Sequence, residues 1–327
     1  MSVSIKDVAR AAGVSPATVS RALGRGPVSD ELRAQVEAAV RATGYRPNLA
    51  ARRLRSQDSG TIGLIVADIR NPFFTAVSRA VEDSAYRAGM RVILCNTDED
   101  PDREASYLQL MHEERVTGLI LAPTRASYEQ LPKRQVDFPV VLIDRAGPPG
   151  LHDSVVLDNR EATATLVAHL VSRGYRQIGG LFGNASSTGA ERREGYEAAM
   201  RQHGLTPDAR LTAPSSAAAQ REMQDWLRAP QRPRALLVSN SLLLIGVIRA
   251  ARAAGLRIPQ DLAVAGFDNE SWTELVEPGM TVIEQPVEDI GRTAMSLLFE
   301  RLKTPGLPVR KVVLSGRCIV RGSTDAA

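Results

Sequence analysis

The chain has 327 residues, of which 43% are hydrophobic and 24% charged, a balance that excludes a disordered polypeptide and provides enough apolar surface for more than one folded unit. Two cysteines, Cys95 and Cys318, cannot build a disulfide framework, and no apolar run approaches the roughly 20 residues of a membrane span. The net charge of +4 is unevenly placed: residues 1–60 hold ten basic and five acidic side chains, and the rest hold 31 and 32, so the excess is +5 at one end and −1 beyond it. That asymmetry implies an anionic partner for the N-terminal segment. The opening residues, Met1 to Asp7, lack the apolar stretch of a secretory leader, which gives the expectation of a cytoplasmic protein.

In chain order, Ser4-Ile5-Lys6-Asp7 reads as a helix start, with Ser4 as N-cap and Asp7 three residues on. Val8, Ala9 and Ala12 form the apolar side of that helix, and Gly13 ends it. Ser15-Pro16 opens a second helix almost at once, a serine cap followed by proline at the first helical position. Two short helices across so tight a turn predict a helix-turn-helix. In the second helix Val19, Ala22 and Leu23 share one face, while Ala17, Ser20 and Arg21 share the other. Small residues with one arginine suit a helix that enters a major groove about 12 Å wide. An ordinary solvated face of a small bundle fits that helix equally well.

A third helix is expected after Ser29, with Leu32, Val36, Ala39 and Val40 on one stripe and Gly44 at its end. The next segment, Tyr45 to Arg55, carries four arginines among small alanines, with Asn48 as a cap and Leu54 as one large apolar side chain. It reads either as a basic linker or as a short helix that folds on DNA, with Leu54 wedged into the minor groove. A polar stretch, Ser56 to Gly60, separates it from the larger remainder of the chain.

From Thr61 onward apolar strands alternate with helical segments. The strands are Thr61–Ala67, Met90–Cys95, Gly118–Ala122, Val140–Ile143, Ile178–Phe182, Ala235–Val238 and Leu262–Phe267. The helices include Phe73–Arg87, Arg103–His112, Ala162–Ser172, Arg192–His203, Leu242–Ala253 and Glu288–Leu302. Continuous apolar strands between helices predict doubly wound parallel sheets, and the length is too great for one sheet. Two lobes with a cleft between them are expected.

The run Ile5 to Leu23, followed by Gly44-Tyr45-Arg46-Pro47-Asn48, resembles the DNA-binding headpiece of the LacI/GalR family of bacterial transcriptional regulators. Ile69 to Phe74, Asn96-Thr97-Asp98, Leu142 to Arg145, Glu191 to Tyr196 and Gly266 to Asn269 resemble landmarks of that family's effector core, so the likeness runs through the whole chain. It implies a small all-α helix-turn-helix headpiece (residues 1–46), a hinge helix and linker (47–59) and a two-lobed α/β core like that of periplasmic sugar-binding proteins (60–327). The first lobe would take residues 60–158 and 286–315, and the second 159–285 and 316–327. The resemblance further implies that Ser15, Pro16, Ala17, Ser20 and Arg21 face an operator, and that Ser4, Ile5 and Lys6 at the start of the first helix also contact the DNA. Tyr45, Asn48, Ala51, Arg53 and Leu54 would belong to the hinge helix and its approach. Pro16 and Ala17 offer no side-chain hydrogen bonds, so sequence reading would rest on Arg21, backbone contacts and groove shape.

Ligands of open α/β sheets bind beyond the carboxyl ends of strands. Those ends supply Asp68, Asn71, Phe73, Asp144 and Arg145 in the first lobe. In the second they supply Thr188, Arg192, Asn240, Asp268 and Trp272. Carboxylates, amides and arginines satisfy hydroxyls while an aromatic face stacks on a ring, which is the chemistry of sugar recognition. Phe73, Asp144, Thr188, Arg192, Asn240 and Asp268 also match effector positions by resemblance. Arg145 is a further candidate, and two arginines would suit a sugar acid or a sugar phosphate. Ser239-Asn240-Ser241 and Asn269 depart from the family's frequent aspartates. For each residue alone, a strand-end cap or a salt bridge is an equal alternative to ligand contact.

Other chemistry finds little support. Asp98 to Asp102 lacks the glycine and distal glutamate of a calcium loop and reads as an acidic cap on the next helix. Gly179-Gly180-Leu181-Phe182-Gly183 has the wrong spacing for a dinucleotide fingerprint, and His112-Glu113-Glu114 lacks a second zinc-binding histidine. No nucleophile elbow or Walker loop occurs, so neither a cofactor, a metal nor catalysis is expected. The reading is a homodimeric, effector-controlled repressor of a pseudo-palindromic operator. A transport-type binding protein and an α/β enzyme are the rivals. The last six residues carry no apolar heptad, which favours a dimer over a tetramer.

Overall fold

A computed structural model describes residues 3–23, 27–45, 59–126, 136–229 and 232–325. The chain divides into two units, residues 1–59 and residues 60–327.

Among the described residues the first unit has three helices, α1 (Ile5–Ala11), α2 (Pro16–Leu23) and α3 (Asp30–Thr43). Asp7 reaches back to accept from the Ser4 N–H at 3.0 Å and from its hydroxyl at 2.7 Å, which ties down the first turn of α1. Gly13 turns the chain at φ +61°, a conformation that a side chain would strain, and so lets α2 begin within a few residues. Ser15 Oγ caps α2 by accepting from the Thr18 N–H at 3.1 Å. Ser29 caps α3 in the same way, and Gly44 ends it with φ +67°. Val8, Ala9, Ala12, Val19, Ala22, Val36 and Ala39 form the buried core. Two cross-links hold α3 to that core: Arg33 donates to the Ala22 carbonyl at 2.7 Å and Gln35 to the Ala12 carbonyl at 3.1 Å.

The second unit contains two six-stranded sheets. The strands are β1 (Thr61–Val66), β2 (Arg91–Asn96), β3 (Gly118–Leu121), β4 (Val140–Ile143), β5 (Asp153–Leu157), β6 (Ile178–Gly183), β7 (Asp208–Thr212), β8 (Ala235–Val238), β9 (Ala263–Phe267), β10 (Thr281–Glu284), β11 (Lys311–Leu314) and β12 (Arg317–Ile319). The first sheet runs β11-β5-β4-β3-β1-β2 and the second β12-β10-β9-β8-β6-β7. Every pairing is parallel except β10 with β12. The chain therefore passes between the sheets after β5, after β10 and after β11.

Helices cover both faces of each sheet, which is why the central strands are apolar throughout. In the first lobe α4 (Pro72–Arg87) and α11 (Val287–Lys303) bury Phe74, Val77, Val81, Ala294 and Leu298 on one face. On the other, α5 (Pro101–Glu113) packs Leu108 and Met111. The acidic stretch before α5 is its cap, with Asp100 Oδ1 accepting from the Asp102 N–H at 2.8 Å. In the second lobe α6 (Asn159–Ser172) and α7 (Ser187–Gln202) cover one face. The opposite face carries α8 (Ser216–Arg228) and α9 (Ser241–Ala253), which bury Trp226, Met223 and Val247. A short helix, α10 (Ser271–Leu275), follows β9. Among the described residues no helix is long and apolar enough to cross a membrane.

Candidate functional site

The first unit presents one face of α2. Val19 and Ala22 turn inward, while Ser15, Pro16, Ala17, Ser20 and Arg21 are exposed together. Arg21 has one weak internal contact, 3.5 Å from Nη2 to Thr18 Oγ1, so its guanidinium is available to an outside acceptor. Ser4 and Lys6 are exposed as well, whereas Ile5 and Tyr45 are half-buried and pack against the headpiece core. Asn48, Ala51, Arg53 and Leu54 lie outside the described residues.

In the second unit the carboxyl ends of β1, β4, β6, β8 and β9 converge on a narrow cleft of about 70 Å³ between the two sheets. Its walls include Asp68, Asn71, Phe73, Asp144, Arg145, Thr188, Arg192, Asn240 and Asp268. Nine of the ten core residues expected from sequence thus meet in one place. The exception is Trp272, which does not line the cleft. It lies on α10, packs against the second lobe's core and donates its indole N–H to Glu270 at 2.9 Å.

Two aspartates follow strands at equivalent points of the two lobes, Asp144 after β4 and Asp268 after β9. Both have left-handed backbones, with φ +65° and +76°, which aspartate tolerates better than most side chains. Asp268 is buried, accepting from the Ser241 N–H at 3.0 Å and from Gln285 Nε2 at 2.6 Å. Burial pushes its pKa above the usual carboxylate range, and Arg192 opposes that rise. Asp144 Oδ2 accepts from Arg145 Nε at 3.1 Å and from Thr188 Oγ1 at 3.2 Å.

Helix α7 supplies Thr188 and Arg192 four residues apart, so one face delivers both to the cleft. Arg192 Nε donates to Asn159 Oδ1 at 2.8 Å, Nη1 donates to the Ser239 carbonyl, and the guanidinium lies 3.9 Å over the Phe267 ring. Burial lowers its pKa, with Asp268, Asp144 and Glu191 acting in the other direction. Asn71 and Asn240 cap α4 and α9 through Oδ1, accepting from the N–H of Phe73 and of Leu243. Asp68 is bound by Arg70, which donates to both carboxylate oxygens. Phe73 meets Phe74 edge-on, with ring centroids 5.0 Å apart.

Arg145 is not a free cation. Its Nη1 donates to Glu99 Oε2 at 2.8 Å and to the Pro123 carbonyl at 2.7 Å, and its Nη2 donates to Glu99 Oε1. Burial works against its charge, yet Glu99, helped by Asp144, outweighs that and holds its pKa above that of ordinary arginine. Glu99 and Gln285 both line the cleft and were missed in the sequence reading. Glu99 directly follows the Asn96-Thr97-Asp98 landmark but reads as part of the acidic cap of the next helix, and Gln285 follows β10, a strand whose apolar run is short, on a crossing between lobes. Among the described residues no group of acidic, histidine and cysteine side chains could hold a metal ion.

Residues 4–48 match the family described as bacterial regulatory proteins, lacI family, and residues 167–324 match a periplasmic binding protein-like domain. The HTH-type transcriptional regulator KdgR of Bacillus subtilis is 34% identical over 98% of this chain and 97% of its own length. The ribose operon repressor of Escherichia coli is also 34% identical, over 98% of this chain and 99% of its own length. Among solved structures, the lac repressor dimer bound to operator and the anti-inducer ONPF superposes with a TM-score of 0.89 at 24% identity, covering 100% of both chains. A ribose operon repressor-like protein from Burkholderia thailandensis gives 0.71 at 33% identity, covering 80% of this chain and 98% of that one. The lac repressor likeness speaks to the fold.

Proposed function

The chain belongs to the LacI family of bacterial DNA-binding transcriptional regulators, and from that premise we propose that it is a repressor acting as a homodimer on a pseudo-palindromic operator under the control of a small sugar-type effector. The observation that carries this reading is the exposed face of α2: small residues and one uncommitted arginine on a helix whose other face is buried. Such a helix enters a major groove closely, and Arg21 forks onto a guanine edge. Two-fold symmetry of the protein would then be mirrored in the operator.

The effector would occupy the cleft of the core, between lobes joined by three chain crossings. Closure around it would alter the geometry passed to the segment before β1, where Asn48, Ala51, Arg53 and Leu54 form the proposed hinge, with Leu54 wedged between minor-groove base steps. By linkage, operator and effector change each other's affinity by the same factor. The site of action is the cytoplasm, where operator DNA resides. The sequence reading admits a sugar, a sugar acid or a sugar phosphate, and the ribose operon repressors among the relatives make ribose the first compound to try.

The test is a gel shift with DNA from upstream of neighbouring genes, run with and without candidate sugars. A specific shift altered by one sugar is expected. No specific shift under any condition overturns the regulator reading.

A further inference from the structure

Two arginines in the cleft would suit an anionic effector, but the contacts of one of them argue for a different selectivity. Arg145 is 4% exposed and has three of its nitrogens bound to Glu99, Asp144 and the Pro123 carbonyl. Glu99 embraces the guanidinium through both carboxylate oxygens, as a ligand carboxylate would. The place an anion would take is already filled from within the protein.

The groups that remain open point to hydroxyls. Gln285 is buried, and its Nε2 is committed to Asp268, which leaves Oε1 shielded from solvent with no hydrogen-bond partner. Turning the amide over would set Oε1 against a carboxylate, so the orientation is determined by its neighbour. A buried acceptor without a donor carries a desolvation penalty that a ligand hydroxyl relieves. Asp144 bonds through Oδ2 alone, and its Oδ1 is a second acceptor awaiting a donor. Donors stand beside them: Arg192 has no bond on Nη2, and Asn71 and Asn240 bond through Oδ1 alone. With Asp68 held by Arg70, and Glu99 and Asp144 both bonded to Arg145, the four carboxylates Asp68, Glu99, Asp144 and Asp268 outnumber the three guanidiniums of Arg70, Arg145 and Arg192 among the described residues.

We propose, building on the sugar-effector reading above, that this cleft accepts an uncharged polyhydroxyl ring and discriminates against its carboxylated and phosphorylated counterparts, with the Glu99–Arg145 pair as the element that enforces the choice. A hydroxyl both donates and accepts, so a neutral ring satisfies Gln285 Oε1 and Asp144 Oδ1 while accepting from Arg192 and the two asparagines. An ionised carboxylate only accepts. It would leave the buried Gln285 acceptor unmet and place like charge beside Asp144 and Asp268. Phe73 supplies the apolar wall for a ring face.

Titration calorimetry on the full-length protein tests this with matched sets: each aldopentose and aldohexose, its uronate and its terminal phosphate. At least one neutral sugar is expected to bind, with its charged counterparts at least tenfold weaker. Glu99→Gln releases Arg145 from its competing carboxylate, and the preference is expected to move at least tenfold toward the uronate. A uronate or phosphate that binds the unaltered protein more tightly than its parent sugar overturns the proposal. An unchanged preference in a folded Glu99→Gln protein removes the pair as its cause. Binding of neither class overturns the sugar-effector reading as well, while the operator gel shift on the same preparation tells separately whether DNA recognition stands.

Discussion

Thr188 Oγ1 donates to Asp144 Oδ2 at 3.2 Å, so a residue from the first turn of α7 in the second lobe is joined directly to the end of β4 in the first. This hydrogen bond spans the cleft. It holds the lobes together while leaving Asp144 Oδ1 open.

A partly buried hydrogen bond of this kind contributes about 1 kcal/mol, or roughly a fivefold bias between two arrangements. Thr188→Val keeps the side-chain shape and removes the donor. Spin labels placed on the two lobes are expected to show a longer or broader interlobe distance in the ligand-free variant. An unchanged distribution would remove this contact as a determinant of closure.

Arg21→Ala should weaken operator binding by about 1–3 kcal/mol while sparing most binding to unrelated DNA. Its guanidinium has only the 3.5 Å contact with Thr18, so headpiece folding should not suffer. Competition gel shifts distinguish the two kinds of loss. Equal weakening on operator and unrelated DNA would assign Arg21 to phosphate rather than base.

Gly189 lies next to Thr188, and a Cβ there would stand 2.1 Å from the Gly183 carbonyl oxygen. The obstacle is backbone at the end of β6, so α7 itself must move. Gly189→Ala is expected to destabilise the core by about 1–3 kcal/mol, read by urea unfolding, and to weaken effector binding as Thr188 and Arg192 shift. Normal affinity together with normal stability would contradict this packing.

Stability should fall as the pH drops from 7.5 to 5.5. Burial lowers the pKa of His152, with Arg301 adding to the effect, and lowers that of His169, with Arg173 adding. Both folded values lie below the ordinary histidine value of roughly 6.5, so the unfolded chain takes up protons first and acid favours unfolding. His169 Nε2 also pairs with Thr324 Oγ1 at 2.8 Å, tying the C-terminal turn to α6. His169→Gln is expected to reduce the loss of melting temperature over that pH interval. An identical pH profile in the variant would rule out His169 as a contributor.

The headpiece was legible because its information is local. Ser15-Pro16, Gly13 and the spacing of Val19 with Ala22 each act within a few residues, and each does in the structure what the spacing implies. Seven of the core strands are continuous apolar runs. β7, β11 and β12 escaped because edge strands bury little: Lys311 and Val313 are exposed, as are Asp208 and Leu211. Strands β5 and β10 escaped because their apolar runs are only two or three residues long. Trp272 was misplaced because nearness to a strand end does not say which way a following helix turns its side chains.

By itself the sequence settled the unequal charge of the two ends, the paired short helices and the alternation of strands with helices, since these depend on composition and short-range periodicity. Whether each candidate in the core is open to a ligand was decided only by the tertiary structure. From sequence Arg145 is equally a ligand contact or a salt bridge until a carboxylate 46 residues away closes on it, and Gln285 marks only a crossing between lobes until burial removes its water. Charge neutralisation and desolvation depend on groups brought together by the fold, and local pattern carries no record of them.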